Sequence, residues 1–176
     1  MPTLRERITA RIALLARPRV PETLPVKLDR RRVYVVPTRF GLFFTALLFA
    51  MLLGALNYNN NPALLLALLL GATGLASLIA AHLQLSGLRV DALSAEPVAA
   101  GTSLQVHVAL SAGDARARRG LQLRAADVQT TVPALTSEAV VAALEVETHQ
   151  RGWLDLGRLR ISSTQPLGLA FAWSWA

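Results

Sequence analysis

The side chains able to do chemistry are few and scattered. Three histidines, His82, His107 and His149, lie far apart, without the i, i+3 or i+4 spacing that brings two imidazoles to one metal. The chain has no cysteine, which excludes disulfides, thiolate nucleophiles and thiolate metal ligands. Ser162, Ser163 and Thr164 are three consecutive hydroxyls, but no base stands beside them, and they read as hydrogen-bonding residues at a strand end. Glu145 and Glu147 share one face of an alternating run and read as a solvated pair. There is no phosphate-binding G-x-x-x-x-G-K-[ST] loop, no G-x-S-x-G elbow and no H-E-x-x-H helix. The expectation is a chain that is not an enzyme, with no catalytic residue, cofactor or metal.

What must these elements do instead? The densest polar cluster is NYNNNP, Asn57 to Pro62, set between two apolar runs, Phe40 to Leu56 and Ala63 to Ala81. From Phe40 to Ala81 there is no Asp, Glu, Lys or Arg, and outside the cluster the polar side chains are Thr45, Thr73 and Ser77. A helix of about 17 to 20 residues rises roughly 25 to 30 Å, which matches the hydrocarbon core of a bilayer. Residues 40–81 therefore predict a transmembrane helical hairpin, with helices over 40–56 and 62–81. Asparagines suit the turn because they tolerate left-handed backbone and bond helix-end amides, and Pro62 suits the first turn of the second helix. With no ionisable group inside the spans, the hairpin reads as an anchor rather than an ion or proton path. Its small residues recur every fourth position, at Ala46, Ala50 and Gly54 and again at Ala63, Ala67 and Gly71. Such stripes allow close helix packing and predict Gly54 beside Ala63 and Ala46 beside Gly71.

Charge sets the orientation. Residues 1–39 carry ten Lys or Arg against three acids, whereas residues 82–176 carry eight of each sign, so the net +7 of the chain lies ahead of the first span. The positive-inside rule then keeps both ends in the cytoplasm, with the Asn turn outside. The basic segment has no interleaved stacking aromatics and no nucleic-acid-binding motif, so the bilayer, not nucleic acid, is the expected partner. Leu4, Ile8, Ile12 and Leu15 share one helical face, so residues 3 to 16 are expected either to lie on an anionic leaflet or to form a disordered tail. Pro18, Pro21 and Pro25 predict an extended linker after them.

Beyond Ala81 the hydrophobic period changes to two. Leu104, Val106, Val108 and Leu110 alternate with Gln105, His107 and Ala109, and Val140, Ala142, Leu144 and Val146 alternate likewise. Shorter alternations cover 83–93, 121–125 and 154–161, separated by turn-rich segments at 96–101, 111–120, 132–138 and 149–152. Five or six strands predict a small antiparallel β-sandwich over 82–165, with Trp153 in its core. The fold class is thus membrane-anchored all-β, a two-helix hairpin followed by a sandwich-like domain. The ending AFAWSWA places Phe171, Trp173 and Trp175 without evident cover, and residues 166–176 are expected to begin a further domain.

Three blocks carry a family resemblance: RRVYVVPTRFG through the hairpin to GATGL (31–75), LSGLRV (85–90) and RGWLDLGRLRISSTQPLGLAFAWSW (151–175). With P-T-R-x-G, N-Y-N-N-N and S-T-x-P-L-G-L, roughly half the chain resembles the N-terminal half of the bacterial domain-of-unknown-function 58 proteins. The resemblance implies a multi-pass inner-membrane protein with a β-rich middle region and a C-terminal domain similar to von Willebrand factor A. It also implies association with MoxR-type AAA+ ATPases and other membrane proteins. The sequence ends after P-L-G-L and has no D-x-S-x-S motif, so that domain's ligands are not carried over. The expected function is an interaction or accessory protein in envelope protein assembly or maturation. The alternative is a non-catalytic subunit of a membrane enzyme or export system.

Overall fold

Charge-free apolar sequence builds the two longest elements. In the computed structural model, which describes residues 23–136 and 138–176, helix α1 is Arg39–Asn57 and helix α2 is Asn61–Leu85. Residues 3 to 16, with the expected surface helix, lie outside the described residues, as do Pro18 and Pro21. Thr38 caps α1, its Oγ1 accepting from the Gly41 amide at 2.9 Å, and Asn60 caps α2, its Oδ1 accepting from the Ala63 amide at 3.1 Å. Asn59 takes the left-handed backbone, with φ of 49°, and Pro62 sits in the first turn of α2. The asparagine cluster is thus a turn that stops one helix and starts the next.

Helix α2 outlasts its expected end at Ala81. Ala81 and Leu85, one turn apart, enter the core shared by the two sheets, so only the start of the alternation expected over 83–93, up to Leu85, is instead the buried edge of a helix. The first strand after it, β3, begins only at Leu88. Including that strand, the sandwich is built from β1 (Val26–Lys27), β2 (Tyr34–Pro37), β3 (Leu88–Ala95), β4 (Ser103–Ala112), β5 (Leu121–Ala125), β6 (Val128–Thr131), β7 (Val140–Glu147), β8 (Arg160–Ser163) and β9 (Ala170–Trp175). They form two antiparallel sheets, β1-β3-β4-β7 and β2-β9-β8-β5-β6. Strands β4 and β7 bury the expected residues: Val106, Val108 and Leu110 from one, Ala142, Leu144 and Val146 from the other. Leu121, Leu123 and Ile161 meet them from the second sheet.

Three expectations are corrected. The sandwich does not begin after the hairpin: β1 and β2 precede α1, and Leu28 and Val33 between and beside them are core residues, so the hairpin is an insertion between β2 and β3. Nor does the sandwich stop at residue 165, because β9 lies between β2 and β8 within a sheet. Phe171, Trp173 and Trp175 share the face of β9 opposite Ala170 and Ala172, and Trp173 is 2% exposed, stacked on Tyr34 with ring centroids 4.8 Å apart and edge-on to Trp175 at 6.1 Å. Trp153 is fully exposed rather than in the core, because the 153–159 segment forms no strand and stays at the surface until Leu159 enters the core just before β8.

Candidate functional site

The joint between hairpin and sandwich is built from three separated pieces of sequence. Thr38, at the head of α1, donates its hydroxyl to the Gly168 carbonyl at 2.5 Å, and its amide donates to the Leu169 carbonyl at 2.9 Å. Gly41, one turn on, lies so close that a Cβ there would overlap the Leu169 carbonyl oxygen. The P-T-R-x-G and P-L-G-L blocks, more than a hundred residues apart, are thus one backbone contact.

At the end of α2 the joint is closed by Arg118, 1% exposed. Its Nε donates to the Gln84 carbonyl at 3.0 Å, one Nη to the Ser86 carbonyl at 2.8 Å, and the other to Asp114 at 2.7 Å. The guanidinium satisfies carbonyls that the helix end leaves without a partner, and its charge suits the negative pole of the helix dipole. Burial pushes the Asp114 carboxyl up, but the hydrogen bond and charge of Arg118, reinforced by Arg116, outweigh it and hold the pKa below the usual value. Nothing in the run SAGDARARRG distinguished Arg118 from Arg116 and Arg119. Only its register beside Leu135, with which it exchanges backbone hydrogen bonds at 2.7 and 2.9 Å, turns it inward.

The helix interface differs from the expected pairing of two small-residue stripes. In α1, Ala46 and Ala50 are exposed, and the space over Gly54 is open, with nothing within 4 Å of where a Cβ would stand. In α2, Ala67 is buried, Ala63 and Gly71 half-buried. The hairpin is asymmetric: large residues of α1 sit on small residues of α2, Leu48 over Gly71 and Phe44 over Gly74, where a Cβ would meet them at 3.4 and 3.2 Å. An apolar groove of about 610 Å³ runs along this seam down to Leu169. The hydroxyls of Thr45 and Thr73 donate to carbonyls one turn back, Gly41 and Leu69, and so need no outside partner.

The remaining candidates are not brought together. His82 lies in the last turns of α2, His107 on β4 and His149 in the loop after β7. Ser162 and Ser163 are buried, and Ser163 Oγ accepts from the Gln165 amide at 3.1 Å, a strand-end bond. Glu145 and Glu147 point outward from β7. Among the described residues no three His, Asp or Glu gather as metal ligands would.

Two polar or mixed hollows flank the sandwich. One, about 550 Å³, lies beside the end of α2 and is lined by Lys27, Arg30, Arg31, Arg116 and the carboxylates Asp29 and Asp114. The other, about 910 Å³, lies at the far end, where the β3–β4 connection meets the segment after β7 around Trp153. No family model, no curated protein and no solved structure matches this chain.

Proposed function

We propose that the chain is a multi-pass accessory protein of the bacterial inner membrane, with α1 and α2 as its transmembrane anchor and the sandwich as a cytoplasmic interaction module. The observation that carries this reading is the pair of helices, each long and apolar enough to cross a membrane, each largely exposed along its apolar length, joined by an uncharged turn. Most of their surface is Leu, Phe and Ile facing outward, including Phe43, Phe49, Leu65 and Ile79, a surface suited to lipid and costly in water. The basic residues before α1 favour a cytoplasmic base.

The partner proposed is a MoxR-type AAA+ ATPase, acting in envelope protein assembly or maturation, and it rests on the resemblance of the 31–75, 85–90 and 151–175 blocks. The sandwich would present its far end, with the fully exposed Trp153, away from the membrane. Photocrosslinking from position 153 in native bacterial membranes tests the reading. Capture of a MoxR-type ATPase, together with a change in its hydrolysis rate on adding the purified protein, is expected. Capture of an enzyme or export component, with the ATPase rate unchanged, would favour a non-catalytic subunit instead.

A further inference from the structure

We propose that the hollow beside the end of α2 is a binding site for the headgroup of an anionic phospholipid. The proposal rests on the reading of α1 and α2 as a membrane anchor. Four cationic side chains, Lys27, Arg30, Arg31 and Arg116, line the hollow against two carboxylates. One of those carboxylates, Asp114, is already engaged by the buried Arg118 at 2.7 Å and lies 3.7 Å from Arg116. The hollow therefore carries surplus positive charge, supplied mostly by arginines, whose planar forks suit phosphate oxygens. Arg30 and Arg31 are exposed on a 3-10 turn and are free to reach an outside anion.

Height selects lipid over a soluble anion. A hydrocarbon core of about 30 Å spans roughly 20 helical residues, which from Pro62 ends near Ala81. Ser86 and Gly87, which line the hollow, are then about 7 Å further along, within the headgroup layer. Helix α1 begins at Arg39, and the facing of Leu48 with Gly71 and Phe44 with Gly74, continued along the antiparallel pair, brings Arg39 level with the region of Ile79 on α2. The volume of about 550 Å³ has room for a phosphate with its glycerol. A membrane-proximal cluster of this kind draws negative lipid by its field and holds it by hydrogen bonds.

The test uses the full chain reconstituted in phosphatidylcholine vesicles containing trace spin-labelled phosphatidylglycerol or phosphatidylcholine, with the protein-restricted lipid fraction read by electron paramagnetic resonance. The expected result is a preference for phosphatidylglycerol of about fivefold, lost in R30Q/R31Q/R116Q and kept in R30K/R31K/R116K and in R151Q/R158Q. Inorganic phosphate at matched ionic strength should leave the preference intact. Restricted lipid with no headgroup preference, or a preference unmoved by the triple glutamine variant, would overturn the site while leaving the anchor standing. Abolition by phosphate would reassign it to a soluble anion and overturn the lipid proposal. No restricted lipid of either kind would overturn the anchor and the site with it.

Discussion

Gly41 is a residue whose identity is dictated by a partner more than a hundred positions away. A Cβ there would occupy the space of the Leu169 carbonyl oxygen, and that carbonyl is held in place by the Thr38 amide at 2.9 Å. Backbone cannot retreat as a side-chain tip can. Gly41→Ala should therefore cost about 3 kcal/mol or more, at the upper end of overpacking, read as a lowered unfolding midpoint in detergent, whereas Gly113→Ala, with open space around it, should change little. Asp114 gives a pH signature. Its folded pKa is depressed, with burial opposing and Arg118 and Arg116 prevailing, so its stabilisation is present above the unfolded value and lost as pH falls through the folded one. Asp114→Asn should be less stable than the native chain near neutrality, and the difference should shrink as pH drops from about 5 toward 2. Denaturant midpoints at several pH values check this; a difference constant with pH would show that the pair is not coupled to folding. Gly41 stood out in sequence only as the last letter of P-T-R-x-G and Asp114 not at all; neither role was legible, since both depend on what the fold brings beside them.

At the scale of elements, the hairpin was legible because a charge-free run broken by NYNNNP has few structural solutions, but its interface was not. A strip of Ala and Gly every fourth residue exists on each helix, and one sequence does not say which face turns inward. The structure uses the α2 side, at Gly71 and Gly74, and fills it with Leu48 and Phe44 of α1 rather than with a second small stripe. Gly71→Leu should push the helices apart, while Gly54→Leu, facing open space, and Leu65→Ile, on the outer surface, should be tolerated. Disulfide formation between Phe44→Cys and Gly74→Cys in each background measures the separation. Equal slowing by Gly54→Leu and Gly71→Leu would restore the symmetric packing that the spacing alone suggests. Strands β4 and β7 were legible for the opposite reason: their alternation is set by one buried face each, and a one-residue slip would turn Val106, Val108 and Leu110 to solvent.

For the whole molecule, the decisive feature is that the chain leaves the sandwich after β2, makes the hairpin, and returns at β3. Local periodicity could not reveal this, because β1 and β2 are short and sit in a basic, proline-containing stretch, and their identity as strands comes from pairing with Val90 and Arg89 on β3 and with residues 170–173 on β9. The consequence is that residues 83–176 are not a domain. They lack β1 and β2, lose Leu28, Val33 and Ala81 from the core, and leave the stacking partner of Trp173 behind. Fully burying a Leu or Val stabilises by about 1.5 to 3 kcal/mol, so these losses are comparable to the whole net stability of a small domain. We expect residues 83–176 alone to aggregate and bind a hydrophobic dye. Residues 23–176 with 43–78 replaced by a flexible linker of about six residues, enough to bridge helices some 8 to 10 Å apart, should instead be soluble and unfold cooperatively. Deleting residues 169–176 from that shortened chain should abolish cooperativity, because β9 is an interior strand whose removal separates β2 from β8. Size-exclusion chromatography and tryptophan-monitored denaturation distinguish the cases. A monomeric, cooperatively unfolding 83–176 fragment would show that the strands before the hairpin are dispensable, and the insertion would be a matter of chain order without energetic weight.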